Sequence, residues 1–127
     1  AGITDLSPLK DCSNLEELDV SNCIGLTDDS FKVFSEEPNS FPNLRRLNLT
    51  YCSKLSEKVF EHLSNNNHLV YQLKELKVEG MSEILASSSP ARNNLCQFKG
   101  LRRLFGIVDD SLKTELLRRL KNLDYVF

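Results

Sequence analysis

Apolar residues recur along the chain at a fixed interval of 29 residues. The first copy reads Leu-x-x-Leu-x-Val-x-x-Cys-x-x-Leu over 15–26, and the second reads Leu-x-x-Leu-x-Leu-x-x-Cys-x-x-Leu over 44–55. A third copy over 73–84 has Met81 in the place of the cysteine. Alternation of apolar and polar residues in each copy predicts a short strand with one buried face. Because one such unit cannot bury its own apolar face, the repetition predicts that successive units stack.

The residues that follow each predicted strand favour a helix. We expect helices near 28–36 and 57–64, where apolar residues recur at helical spacing. In the third unit, 81–89 is rich in serine and stops at Pro90, which predicts one helical turn followed by an ordered loop. The asparagine run at 65–67 is expected to be a surface connection between units.

The fourth copy of the pattern is less regular. Leu101 and Leu104 fit at an interval of 28 residues, but Gly106 occupies the next core position. A glycine at this point predicts a slip or a bulge in the strand. Residues 110–123 then place leucines at helical spacing, which predicts a helix that caps the stack.

These boundaries predict one domain over 1–127 that is a portion of a longer array. Residues 1–14 are expected to be the tail of a preceding unit, and 101–127 a degenerate unit with its cap. The regular units between them are expected at 15–43, 44–72 and 73–100.

The motif Leu-x-x-Leu-x-Val-x-x-Cys-x-x-Leu-Thr-Asp over 15–28 resembles the cysteine-containing class of leucine-rich repeats, as does its second copy over 44–56. The resemblance implies an α/β leucine-rich-repeat solenoid of about four repeats, curved, with a parallel inner sheet, outer helices and a C-terminal capping helix. The best-known members of the class are F-box and related substrate receptors of cullin-type ubiquitin ligases. The resemblance therefore implies a protein-binding module that recognises substrates for such a ligase.

Two other roles are open for repeats of this kind. They also serve as structural or assembly subunits of larger complexes and as the sensing repeats of immune receptors. An F-box is not recognisable in the sequence, so contact with a cullin-adaptor complex is expected through a segment that is missing here. Enzymatic activity is not expected, because the repeat accounts for the cysteines without a catalytic role.

Composition narrows the possible partners. The chain has 16 basic and 18 acidic residues and a net charge of −2, which gives no footprint for nucleic-acid binding. No apolar run approaches the roughly 20 residues that a membrane span needs. Cys23 and Cys52 occupy the same place in successive repeats and are expected to be small core residues. Free thiols of this kind favour a reducing compartment, the cytoplasm or the nucleus.

No cofactor or metal site is expected from the sequence. His62 and His68 are the only histidines, and neither has a carboxylate or cysteine at metal-ligand spacing. The five glycines form no phosphate-binding loop.

Polar residues between the buried strand leucines are expected to lie on the concave face and to bind a protein ligand. The candidate set is Glu17, Asp19, Arg46, Asn48, Tyr51, Glu75, Lys77, Arg103 and Phe105. It grades from acidic in the first strand to mainly basic later, so its cations suit carboxylates or a phosphorylated segment. Its two aromatic residues are candidate apolar anchors. The alternatives are that these are ordinary solvated strand residues, or that the connections 65–71 and 87–96 bind instead.

Overall fold

In the computed structural model, which describes residues 3–127, five short parallel strands form one sheet in the order in which they occur along the chain. The strands are β1 (Glu17–Asp19), β2 (Arg46–Asn48), β3 (Glu75–Lys77), β4 (Arg103–Phe105) and β5 (Tyr125–Val126). The predicted α/β class and parallel sheet are confirmed. The fifth strand was not predicted. Of the expected tail at 1–14, the first two residues lie outside the described part.

The connections between the strands are helical. A 3-10 helix at Ser7–Leu9 precedes β1, and another at Asp28–Phe31 leads directly into the first α-helix. Within residues 3–127 the α-helices are α1 (Lys32–Glu36), α2 (Lys58–Ser64), α3 (Leu69–Gln72), α4 (Ser82–Ser87), α5 (Ser89–Leu95) and α6 (Asp110–Arg119). Helix α2 packs against both α1 and α5, so the helices form a layer beside the sheet. The helices predicted near 28–36, 57–64 and 110–123 are confirmed, the last with an earlier end.

A row of leucines at the centre of the strands fixes the sheet register. Leu18 pairs with Leu47, Leu47 with Leu76, and Leu76 with Leu104. All are buried within one continuous apolar core that extends from Leu6 to Leu123. The register therefore follows the repeat interval of the sequence, including the shorter interval that leads into β4.

The predicted irregularity at Gly106 lies just beyond β4 and leaves the pairing of β4 with β3 intact. The backbone N–H groups of Gly106 and Ile107 both donate to the carbonyl oxygen of Phe127, at 2.7 and 3.0 Å. The chain holds one residue more here than in the third unit, as in a bulge, because Leu104 follows Leu76 by 28 residues and the buried Ile107 follows Val78 by 29. Gly106 has φ +106°, and a Cβ there would lie 2.4 Å from the backbone nitrogen of Glu79. Ile107, 1% exposed, takes the core position that the repeat assigned to Gly106.

The expectation of a single turn and a loop in the third unit is wrong. The segment forms α4 and then α5, with Ser88 between them. The Oγ of Ser88 accepts a hydrogen bond from the backbone N–H of Ala91 at 3.2 Å and caps α5. Pro90 lies in the first turn of α5, where a missing N–H removes no helical hydrogen bond. The proline therefore lies at the start of a helix, whereas the sequence pattern predicted the end of one.

The cysteines are all free thiols in different environments. Cys52 and Cys96 are buried, Cys23 is half-buried against the core, and Cys12 is exposed. Burial raises the pKa of the Cys52 thiol, whose Sγ lies 3.0 Å from the carbonyl oxygen of Val20. The prediction of a core cysteine is therefore confirmed for Cys52 and met only in part by Cys23.

The asparagine run at 65–67 is not wholly a surface connection, because Asn66 is fully buried. Its Nδ2 lies 3.1 Å from the Oγ of Ser40 and 3.2 Å from the carbonyl oxygen of Phe34. Its Oδ1 accepts hydrogen bonds from the backbone N–H groups of His68 and Leu69, at 3.1 and 3.0 Å. One side chain thus joins two successive units and caps the start of α3.

We expect Asn66→Ala to lower the free energy of unfolding by about 2 to 4 kcal/mol, because it leaves several buried backbone groups without partners. The neighbouring Asn67 is exposed and is a matched control, so Asn67→Ala should change stability by less than about 0.5 kcal/mol. Denaturant unfolding of both variants measures the difference. Equal losses from the two would show that the buried hydrogen bonds do not matter.

Candidate functional site

One face of the sheet packs against the helices, and the other face lies open. Alternation along each strand places polar and aromatic side chains on this second face, opposite the buried leucines. We call this surface the open face, and its residues are Glu17, Asp19, Arg46, Asn48, Glu75, Lys77, Arg103, Phe105 and Tyr125. Eight of the nine residues predicted to bind a ligand therefore share one surface.

The first positions of β1 to β4 form a row in which charge alternates. Glu17 pairs in register with Arg46, Arg46 with Glu75, and Glu75 with Arg103. The Nε of Arg46 lies 3.4 Å from an Oε of Glu17, and the Nε of Arg103 lies 2.9 Å from an Oε of Glu75. The sequence predicted a gradient from acidic to basic residues across the sheet, but in this row acidic and basic residues alternate. Each arginine already contacts a carboxylate of the preceding strand.

The third positions of β1 to β4 form a second row, in which two side chains accept hydrogen bonds from nearby backbone. An Oδ of Asp19 accepts from the backbone N–H of Ser21 at 3.0 Å, and Oδ1 of Asn48 accepts from that of Thr50 at 3.0 Å. Hydrogen bonds from Ser21 hold the pKa of the Asp19 carboxyl below its usual value. These two side chains therefore shape the turns that follow β1 and β2, and they remain on the open face.

Towards β5 the open face becomes aromatic. The ring centroids of Phe105 and Tyr125 are 5.5 Å apart, and those of Tyr125 and Phe127 are 5.2 Å apart. The Nζ of Lys77 lies 5.5 Å from the centroid of Phe105, a cation–π distance. The open face thus changes from a charged row to an aromatic cluster across the sheet.

Sequence reasoning missed Tyr125 and Phe127, although a signal for them was present. Leu101-x-x-Leu104 recurs as Leu123-x-x-Val126, after 22 residues instead of 28 or 29. An Asn-Leu pair also precedes the second strand and the fifth, and the Nδ2 of Asn122 donates to the carbonyl oxygen of Lys99 at 2.9 Å. A search that allowed a shorter final unit would have found β5.

A cavity of about 480 Å³ opens where β2 to β5 end and their connections begin. Its aromatic walls come from Tyr51, Phe105 and Phe127, with Val108 beside them. Val108 is 81% exposed and Phe127 is 67% exposed, so these apolar surfaces face solvent. Of the predicted site residues, the cavity brings together Tyr51 and Phe105. The other seven lie on the open face beside it.

Tyr51 has a backbone conformation that bulky residues rarely adopt. It has φ +55°, and the equivalent residues one repeat before and after, Asn22 and Gly80, have φ +62° and +92°. Asparagine and glycine tolerate this left-handed region, whereas tyrosine is strained in it. The ring of Tyr51 lies against Gly80, where a Cβ would be 3.0 Å from Cδ1 of the ring. The strain therefore accompanies a ring that lines the cavity and is 57% exposed.

Residues 3–127 contain no group of three or more His, Cys, Asp or Glu side chains placed to hold a metal ion. Across the same residues, none of the helices has the length and apolar character needed to cross a membrane. No protein-family model matches the chain.

We expect Tyr51→Gly to be more stable than Tyr51→Ala by about 0.5 to 1 kcal/mol, because only glycine adopts this φ without strain. Both variants remove the ring, so the comparison isolates the backbone. Ser53, which is exposed and has no positive φ, is the control. There the alanine variant should be the more stable one. Denaturant unfolding measures all four, and the same order at both positions would contradict strain at Tyr51.

Proposed function

We propose that the chain is a portion of a leucine-rich-repeat solenoid and that its open face, with the adjoining cavity, binds a protein partner. The observation that carries the proposal is the continuity of the surface: a row of alternating charges leads into exposed aromatic rings. Interfaces commonly combine a desolvated aromatic centre with a polar surround. The repeat interval of the sequence and the parallel register support the solenoid.

The distribution of exposed apolar residues favours binding over a merely solvated surface. Single exposed apolar residues are normal on any protein, but a contiguous group marks an interaction site. Residues 3–127 include eight large apolar residues that are exposed, and four of them gather at the cavity or beside it: Tyr51, Val108, Tyr125 and Phe127. The charged row supplies orientation and specificity for the partner, and each of its exposed charges adds at most about 1 kcal/mol to the affinity.

We further propose that the partner is a substrate of a cullin-type ubiquitin ligase, recognised in the cytoplasm or nucleus. The support is the resemblance of the cysteine-containing motif and the presence of free thiols. Contact with a cullin adaptor would come through a segment outside this sequence. The alternative role as an assembly subunit uses the same surface, and the turnover of the partner separates the two.

Removing the arginines from the charged row should weaken partner capture while the fold is retained. We expect Arg46→Gln with Arg103→Gln to cost about 1 kcal/mol or less in stability, because both ion pairs are partly exposed. Captured partner should fall several-fold in affinity purification with quantitative mass spectrometry. Charge reversal is a poorer test, because it would place an acid beside Glu17 or Glu75.

Arg118→Gln is the matched control, since Arg118 is exposed on α6 and away from the sheet. Capture unchanged in the double variant would place the binding site off the open face. In cells, slower ubiquitin-dependent turnover of the captured partner supports the ligase role. A partner held at fixed stoichiometry, with turnover that the variant leaves unchanged, would instead establish the assembly role.

A further inference from the structure

The cavity combines aromatic walls with acidic side chains. Glu79 and Glu83 line it together with the rings of Tyr51, Phe105 and Phe127. Both glutamates are exposed, and neither forms an ion pair with any described residue. No lysine or arginine is among the residues that line the cavity. The two glutamates therefore line a space that has no positively charged residue in its lining.

These components together favour a cationic occupant. The faces of aromatic rings attract guanidinium and ammonium groups, and carboxylates supply the opposite charge. An uncharged apolar side chain would pack against the aromatic walls. It would also cover the two carboxylates without supplying an opposite charge, and burying unpaired charges is unfavourable. An acidic side chain would be repelled by both. The aliphatic part of an arginine or lysine, by contrast, packs on apolar walls while its charged end reaches a carboxylate.

The surrounding residues agree with this chemistry. Lys77 already holds its ammonium group 5.5 Å from the centroid of Phe105, so a ring at this edge of the sheet accepts a cation. Lys77 does not line the cavity. The two negative charges of Glu79 and Glu83 outweigh its single positive charge, so the region keeps an excess of negative charge. Tyr51 adds its ring to the wall from a strained backbone position, and strained residues often occur at functional sites.

We propose that this cavity receives an arginine or lysine side chain from the partner protein. The inference rests on the proposed function and adds to it the chemistry of the residue that is recognised. The open face would hold the neighbouring part of the partner segment, and the cavity would select a basic residue within it.

The probe is a blocked peptide, Gly-Gly-Arg-Gly-Gly, titrated into the ¹⁵N-labelled chain and followed by NMR. We expect amide shifts to concentrate at Gly80, Gly106 and Val108, with millimolar or tighter binding. A lysine version should bind at the same place. Versions with citrulline, which has the shape of arginine without its charge, or with leucine should bind at least about fivefold more weakly. Leucine or citrulline binding as tightly as arginine would overturn the proposal.

Glu79→Gln with Glu83→Gln should weaken binding of the arginine peptide by roughly fivefold at low salt, because two exposed carboxylates lose their charge. The control is Glu36→Gln with Glu61→Gln, a pair of exposed glutamates outside the cavity lining, which should leave binding unchanged. Dispersion of the amide spectrum reports folding of each variant. In the unmodified chain, binding should weaken as salt rises, and binding insensitive to salt would also contradict the proposal.

The outcomes separate this inference from the proposed function. Failure of the arginine peptide, with partner capture still dependent on Arg46 and Arg103, removes the cationic occupant and leaves protein binding intact. Loss of that dependence, with the peptide still bound at the cavity, removes the open face as the recognition surface and leaves the cavity as a cation site.

Discussion

The structure depends on the burial of one leucine at the centre of each of the first four strands. Leu18, Leu47, Leu76 and Leu104 pair in register across the sheet and pack against the helices. Because side chains alternate along a strand, this row fixes which residues point to the opposite face. A slip by one residue would bury the charges and expose the leucines. The composition of the open face is thus a consequence of the core.

Much of this arrangement could be predicted from the sequence, because it follows from apolar residues that recur along the chain at a regular interval. β1, β2 and β3, their register and the helices near 28–36 and 57–64 follow from the 29-residue repeat, and β4 follows at an interval of 28 residues. Features that depend on single contacts were harder to predict from the sequence. Pro90 is compatible with either end of a helix, and only the cap from Ser88 shows that it begins one. Asn66 resembles its exposed neighbours until its partners in the preceding unit are known.

The residues of the open face could be predicted from the sequence, apart from Tyr125, but their organisation could not. Alternation placed the polar strand residues on one face, yet the pairing of each arginine with a neighbouring glutamate depends on side-chain distances across strands. The cavity depends on further features that the repeat does not contain. It includes Phe127, from a strand at a shorter interval, and Val108, which follows a bulge. Local irregularities in an otherwise periodic chain therefore produced the part of the surface with the most distinctive chemistry.

The left-handed position after the strand has a consequence for how such a chain can diversify. Asn22, Tyr51 and Gly80 occupy the same place in successive units with similar backbone angles. The surrounding repeat imposes the angle, so the residue type there is free to vary within a cost of about 1 to 2 kcal/mol. Asn22 and Tyr51 are exposed, and neither is part of the core. Each of these three units thus offers one outward position where the side chain can change without repacking of the core, and a duplicated unit would bring another.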